Sequence, residues 1–182
     1  MFLKLKTILK HLWLDADDSE NAVPPDVLRQ LAQRVAASEA RHTGQIRIYV
    51  EAALPISYLW RLNSPPSPFA LKQLIRQRAV TLFGKLRVWD TQHNNGVLIY
   101  LQLAERAIEI VADRGVDQHV SAQQWRAMTG RMAIAFKNGQ FEDGLTQAIG
   151  EVTAVLVAQF PSVVDSKAAN KLNELPDEPM LG

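Results

Sequence analysis

The feature that most constrains the fold of this 182-residue chain is a pair of strand-like segments separated by only three residues. Residues 97–103 are almost continuously apolar and rich in branched side chains, a pattern typical of a central β-strand covered on both faces. Residues 107–112 also have strand character. Because Ala104, Glu105 and Arg106 are too few for a crossover connection, the second strand must return antiparallel to the first.

A third strand precedes this hairpin. Residues 46–51 alternate between apolar and polar side chains, which predicts a strand with one buried face and one partly polar face. A helix predicted over residues 67–84 lies between that strand and the central one, with Ser67 as its cap, and favours a parallel, right-handed connection. Leu86 and Val88 alternate briefly and predict a further short strand.

Three more helices are predicted from their start and stop signals. One begins at the prolines of residues 24–25, and one begins at Ser121, which has capping-box spacing to Gln124. The last begins after Gly139, is stopped by Pro161 and contains Gly144 and Gly150, whose low helix propensity we expect close packing to offset. Helices on both faces of the sheet give an α/β fold, a three-layer α/β/α sandwich with a small mixed β-sheet.

The chain divides into three segments by composition. Residues 1–23 combine a basic amphipathic segment with an acidic linker, and residues 24–161 form one folded domain. Residues 162–182 form a polar tail with too little apolar surface to fold, so we predict that it is disordered.

Residues 1–14 predict a basic amphipathic helix, with Lys4, Lys6, Lys10 and His11 opposite an apolar face. Such a helix is suited to three roles: binding an anionic membrane, docking on a membrane protein, or packing on its own domain. Lys10 and His11 interrupt the apolar run, so it does not resemble a signal peptide. We expect a soluble, cytoplasmic protein, with the inner face of the membrane as the alternative location.

Composition and missing motifs exclude several classes of function. The formal net charge is +1, which does not favour a nucleic-acid-binding surface, so no nucleic-acid partner is expected. The chain has no cysteine, which excludes disulfides, zinc–thiolate sites and cysteine nucleophiles. There is no glycine-rich dinucleotide loop and no phosphate-binding loop. We therefore predict no nucleotide, haem or zinc–thiolate cofactor.

Two polar turns should meet at one end of the predicted hairpin. Asn94 and Asn95 precede the central strand, Asp113 and Arg114 follow its antiparallel neighbour, and Asp90 lies just upstream. Carboxylate and amide oxygens are the ligands that calcium and magnesium prefer. We predict a calcium or magnesium site formed by Asp90, Asn94, Asn95 and Asp113. Nearby polar residues that can join it are His93, Asp117 and His119.

A purely structural interpretation of these turns is also open. Asn-Gly and Asp-Arg-Gly are ordinary turn sequences, and Arg114 can pair with an acidic neighbour such as Asp113. At the opposite end of the sheet, an ion pair is predicted among Glu51, Glu105 and Arg106, and an exposed pair of this kind contributes little to stability.

Several of these segments, taken in order, resemble the TPM domain, whose name covers thylakoid-lumen, photosystem-repair and receptor-modulator proteins. The segments are residues 39–50 (EARHTGQIRIYV), residues 94–101 (NNGVLIYL) and residues 106–115 (RAIEIVADRG). Trp125, Met132, Phe136 and residues 139–144 continue the resemblance, which runs from about residue 26 to residue 161.

The resemblance implies the same α/β/α sandwich and a bacterial protein, in a family with varied biochemistry. Some members resemble acid phosphatases in activity, some bind divalent cations, and others are membrane-associated assembly or repair factors. It places Asn94, Asn95 and Asp113 in the family's acidic loop region. The signal sequence and membrane-spanning tail of many members are not seen here, and Asp113 and Arg114 stand in a turn that is glycine-rich in the family.

Two functions follow. The first is a non-catalytic binding or scaffold module regulated by a divalent cation. The alternative is a metal-dependent, acid-phosphatase-like phosphoester hydrolase, in which Asp90 or Asp113 ligates the metal or acts as nucleophile and Arg114 stabilises developing charge. We favour the first, because the oxygen ligands cluster without an obvious nucleophile.

Overall fold

The computed structural model of the chain describes residues 2–14, 16–62, 67–162 and 173–182. The sheet contains β1 (Gln45–Glu51), β2 (Gly96–Gln102), β3 (Ala107–Ala112) and β4 (Met180–Leu181), in the order β3-β2-β1-β4. β2 runs parallel to β1 and antiparallel to β3, and Ile99 lies opposite both Ile48 and Ile110. The mixed sheet and the hairpin predicted from the sequence are confirmed.

The helices of the described residues are α1 (Phe2–Leu12), α2 (Ala16–Ala22), α3 (Pro25–Glu39), α4 (Ile56–Leu59), α5 (Pro68–Lys85), α6 (Arg114–Asp117), α7 (Ala122–Lys137) and α8 (Phe141–Gln159). The predicted start signals act as expected. Ser67 Oγ accepts a hydrogen bond from Ala70 N at the start of α5. Ser121 and Gln124 form a capping box before α7. These local bonds satisfy N–H groups that have no partner within the helix.

Helices cover both faces of the sheet, which makes the domain the predicted three-layer sandwich. On one face, residues of α3, α7 and α8 such as Leu31, Met132 and Val152 pack against the apolar side chains of β1, β2 and β3. On the other face, Leu74 and Ile75 of α5 belong to a second apolar cluster that includes residues of β2 and β3. Every residue of β2 is buried, as its continuous apolar sequence predicted.

The short strand predicted at residues 86–88 is wrong. Residues 86–89 form turns, and Arg87 has a φ of 54°, which is incompatible with an extended strand. Val88 is buried because it packs in the apolar cluster beneath α5. The apolar residues at 86 and 88 therefore reflect a buried turn and not a strand.

The two glycines predicted to be closely packed in the last helix differ from each other. A Cβ on Gly144 would lie 2.5 Å from Cε1 of Phe136, so close packing does explain that glycine. A Cβ on Gly150 would meet nothing within 4 Å, so the expectation is wrong there.

The acidic linker predicted before residue 24 contains a helix instead. Residues 16–22 form α2, whose first turn holds Asp17 and Asp18, where negative charge is favourable. Ser19 is buried, and its Oγ donates to the carbonyl oxygen of Gly182 at 3.1 Å. Residue 15 lies outside the described residues.

The prediction of a disordered tail is wrong for residues 173–182, while residues 163–172 lie outside the described part of the chain. β4 pairs in parallel with β1, and Arg47 of β1 donates from Nη1 to the carbonyl oxygens of Pro176 and Glu178, both at 2.6 Å. Gln45 Oε1 accepts hydrogen bonds from two backbone N–H groups of the same segment, at residues 174 and 175. The tail is ordered because its backbone satisfies buried polar side chains of β1.

Candidate functional site

The two polar turns meet where β2 begins and β3 ends. Asp113 N donates to the carbonyl oxygen of Gly96 at 2.9 Å, one step beyond the last paired residues of the two strands. Gly115 N donates to the carbonyl oxygen of Asn94 at 3.0 Å. These two backbone bonds join residues 94–96 to residues 113–115, so side chains from both turns share one end of the sheet.

Gly115 allows this close approach. A Cβ at this position would lie 2.4 Å from the carbonyl oxygen of Asn94 and 2.9 Å from that of His93. Asn94 itself has a φ of 50°, in the left-handed region that asparagine tolerates better than most residues. The turn residues recognised in the sequence are therefore needed to hold the two loops together.

Asn95 is completely buried at this junction. Its backbone N donates to Thr91 Oγ1 at 3.0 Å, and its Nδ2 donates to Thr43 Oγ1 at 3.2 Å. Among the described residues, its buried Oδ1 has no hydrogen-bond partner. A buried acceptor left without a donor costs about 1–3 kcal/mol, so this oxygen is a candidate ligand atom.

Asp113 supplies a second oxygen of this kind. Its Oδ1 accepts a hydrogen bond from Arg114 N at 2.7 Å, which caps α6. Its Oδ2 is buried, and the described part of the chain provides no hydrogen bond to it. The site therefore combines an amide oxygen and a carboxylate oxygen, each buried and without a hydrogen-bond donor among the described residues.

The remaining predicted site residues have protein partners. Asp90 Oδ2 lies 2.6 Å from Arg87 Nη2 in a well-exposed ion pair. Arg114 Nη2 donates to Asn94 Oδ1 at 3.3 Å, so the predicted pairing of Arg114 with an acidic side chain is replaced by a bond to an amide. Within the described ranges, no three histidine, aspartate or glutamate side chains are grouped as a metal site requires. His119, predicted to join the site, instead makes an edge-on ring contact with Phe160.

The ion pair predicted at the opposite end of the sheet is wrong, because each of its residues has another partner. Glu51 accepts hydrogen bonds from Arg78 Nε and from the Tyr100 hydroxyl. Glu105 Oε1 lies 3.2 Å from Lys10 Nζ and 3.3 Å from His11 Nε2. Arg106 Nη1 donates to the carbonyl oxygen of Lys137. Sequence reasoning missed these partners because all of them are distant along the chain from the residue they contact, on α1, α5, α7 or the neighbouring strand β2.

A cavity of about 750 Å³ between α5 and α7, above the edge strand β3, also escaped prediction. Aromatic side chains and basic side chains line it together, as do Glu109 and Asp117. Burial raises the pKa of the Glu109 carboxyl, and the charge of nearby Arg76 opposes that rise. Asp117 Oδ1 accepts a hydrogen bond from Trp125 Nε1 at 3.1 Å. Asp117 ends α6, so the short helix capped by Asp113 also forms part of this cavity wall.

These observations define a class: an α/β/α sandwich domain with interlocked polar loops at one end of its mixed sheet. The sequence model of the TPM domain matches residues 16–155, and the chain belongs to this family. The match begins at α2, about ten residues earlier than the resemblance noted from the sequence. No curated protein matches the chain.

A solved structure has the same fold. The NMR structure of the BA42 protein from the psychrophilic bacterium Bizionia argentinensis superposes with a TM-score of 0.68 and 23% sequence identity, covering 87% of this chain and 94% of that one. At this identity the similarity concerns the fold, and it confirms the predicted α/β architecture.

Proposed function

We propose that this chain is a non-catalytic binding module of the TPM family, regulated by a divalent cation held between Asn95 and Asp113. The observation that carries the proposal is the pair of buried oxygens, Asn95 Oδ1 and Asp113 Oδ2, that lack hydrogen-bond partners among the described residues. Calcium and magnesium bind carboxylate and amide oxygens, and a bound cation would offset the cost of burying both atoms.

The chemistry of these ligands favours a weak, regulatory site. One carboxylate and one amide leave most coordination positions to water, and sites with few charged ligands bind calcium at about 10⁻⁴–10⁻³ M. Two other predicted ligands would have to break existing interactions before binding the cation: Asp90 its ion pair with Arg87, and Asn94 its hydrogen bond from Arg114. We therefore assign the main roles to Asn95 and Asp113.

An amide-resolved NMR titration with calcium, and then with magnesium, tests this proposal on the full chain. We expect shifts confined to residues 90–96 and 113–119. The decisive variant is Asp113→Asn, because asparagine caps helices as well as aspartate and so preserves α6. The matched control is Asp143→Asn, which removes an exposed carboxylate from the first turn of α8.

The shifts should disappear in Asp113→Asn and persist in Asp143→Asn. A cation at ten times its dissociation constant should stabilise the wild type by about 1.4 kcal/mol, raising Tm by about 3–6 °C. Absence of shifts at millimolar cation, or equal shifts in Asp113→Asn, would overturn the proposal.

Binding is favoured over the phosphatase alternative by the environment of Arg114. Phosphoryl transfer depends on positive groups aimed at the developing charge, whereas Arg114 donates to Asn94 Oδ1. Hydrolysis of a phosphate ester by the purified wild type, abolished in Asp113→Asn and retained in Asp143→Asn, would establish catalysis instead.

A further inference from the structure

We propose that α1 binds the surface of an anionic membrane through an apolar face that the fold leaves exposed. The structure first shows how α1 is held. His11 is buried, and its Nδ1 accepts a hydrogen bond from Leu54 N at 3.0 Å. Its Nε2 faces Glu105 Oε1 at 3.3 Å, and Ile8 packs against the apolar cluster beneath α5. One side of α1 is thus fixed to the domain.

Another side of the same helix carries large apolar side chains in water. Leu5, Leu9, Leu12 and Trp13 are 54%, 45%, 53% and 84% exposed. Their spacing of four, three and one residues places them on one helical face, beside the side that holds Ile8 and His11. A single exposed leucine needs no explanation, but a contiguous apolar face marks an interaction surface.

Exposed apolar side chains also occur on α4, whose start is tied to α1 by a hydrogen bond. Leu54, whose N donates to His11 Nδ1, precedes Pro55, the N-cap of α4. On α4, Ile56 is 47% exposed, and Trp60 at its end is 71% exposed. Two exposed tryptophans, Trp13 and Trp60, therefore lie on or next to these two helices, and tryptophan is enriched at membrane–water interfaces.

The charge of α1 identifies the kind of surface that it fits. The helix contains Lys4, Lys6 and Lys10 and no acidic residue. Lys6 and Lys10 are exposed beside the apolar face, where lysine stems can follow the apolar surface while their ammonium groups reach lipid phosphates. Lys10 Nζ lies 3.2 Å from Glu105 Oε1, so it would exchange this half-exposed ion pair for a lipid phosphate. The acidic residues of α2 follow only after Trp13, so the attractive surface is α1 itself.

The arrangement of the apolar side chains favours a membrane over a protein partner. The exposed side chains lie along one helix and just past its end, and Trp13 is the most exposed of them. Docking on the domain also preforms the helix, whereas an isolated helix of 11 residues is marginal in water. Binding therefore needs no folding step, and its electrostatic part should weaken as salt is added.

Flotation of the full chain with unilamellar vesicles tests the proposal. One set contains phosphatidylcholine alone and the other phosphatidylcholine mixed with phosphatidylglycerol. We expect flotation with the anionic vesicles, little with the neutral ones, and loss at high salt. Trp13→Ala should reduce partitioning roughly tenfold. The matched control is Trp89→Ala, which removes a tryptophan that is 48% exposed in a turn elsewhere in the chain.

Trp13 is 84% exposed, so its replacement leaves the core intact and a failed fold cannot mimic the expected result. Equal flotation of Trp13→Ala and Trp89→Ala would overturn the proposal, as would a full chain that never floats at low salt. A dimer that dissociates on Trp13→Ala, together with no flotation, would identify a second copy of the chain as the partner and also reject the membrane.

Discussion

Three side chains, Glu51, Arg78 and Tyr100, connect α5 to both central strands in a nearly buried network. Arg78 Nε donates to Glu51 Oε1 and Oε2 at 3.1 Å each, and the Tyr100 hydroxyl donates to Glu51 Oε2 at 2.6 Å. The side chains of Arg78 and Glu51 are 12% and 6% exposed, and Tyr100 is fully buried. We expect substitutions in this network to lower the free energy of unfolding more than most substitutions elsewhere in the domain.

The expected losses differ between the partners. Tyr100→Phe removes one hydrogen bond to a charged group and leaves the ring in place, so the free energy of unfolding should fall by about 1.5–3 kcal/mol. Glu51→Gln leaves the guanidinium of Arg78 without its counter-charge in a nearly buried position, which should cost about 3–5 kcal/mol. A matched control is Tyr49→Phe, which removes the hydroxyl of a half-buried tyrosine on β1.

Urea unfolding of the wild type, the three single variants and the Glu51→Gln/Tyr100→Phe double variant measures these losses. Because both changes remove the same charge-assisted hydrogen bond between Tyr100 and Glu51, the loss in the double variant should be smaller than the sum of the single losses by about 0.5–3 kcal/mol. Tyr49→Phe should change stability by less than about 0.5 kcal/mol. Additive losses, or a Tyr100→Phe variant as stable as the Tyr49→Phe control, would refute the reasoning.

Three further predictions concern pH and helices. Burial and the negative charge of Glu51 raise the pKa of the Tyr100 hydroxyl, so the folded state keeps its proton longer than the unfolded state does. Stability present below about pH 10 should therefore decline as pH rises above 10, less steeply in Tyr100→Phe than in the wild type, as followed by thermal melting. In α8, Gly150→Ala should raise the free energy of unfolding by about 0.5–1 kcal/mol. Gly144→Ala should lower it by up to about 2 kcal/mol, because the added methyl group would clash with the Phe136 ring. Urea midpoints that shift in the same direction in both variants would contradict this contrast. Ser121→Ala should cost about 0.5–2 kcal/mol by removing the cap of α7, and Ser121→Asp, which retains a capping oxygen, should restore most of it in the same assay.

The sequence predicted the central architecture because burial and strand period coincide there. The predicted strands, residues 97–103 and 107–112, lie within one residue of β2 and β3, because a two-sided apolar strand and a three-residue connection leave few alternative arrangements. The helix caps at Ser67 and Ser121 could also be predicted, because each side chain accepts a hydrogen bond from a backbone N–H only three residues away.

The C-terminal segment could not be predicted in this way. Its order depends on Arg47 and Gln45, which bind backbone groups about 130 residues further along the chain. Backbone carbonyl and N–H groups are nearly the same whatever the side chains, so the amino-acid composition of the tail does not indicate that it binds β1. Its polar side chains indicated disorder, while its backbone supplied the hydrogen bonds that β1 lacked.

Only part of the candidate site could be predicted from the sequence. The hairpin brings Asn95 and Asp113 together by topology alone, and that part of the prediction follows from strand order. The involvement of Asp90 and Asn94 depends on competition from Arg87 and Arg114, whose side chains reach them across short distances. Spacing along the chain identifies neighbours but does not decide which of them a flexible arginine engages.

The two proposed sites occupy opposite ends of the β2–β3 hairpin, which makes them separable by experiment. Asn95 and Asp113 lie where β2 begins, whereas Glu105, which faces His11 of α1, lies in the turn where β2 ends. Seven residues of extended strand put about 20 Å between these ends. Asp113→Asn should therefore float with anionic vesicles as the wild type does, and Trp13→Ala should keep its cation-induced rise in Tm. If either substitution abolished both responses, the hairpin would have to couple the two ends, and the assignment of two independent surfaces would fail.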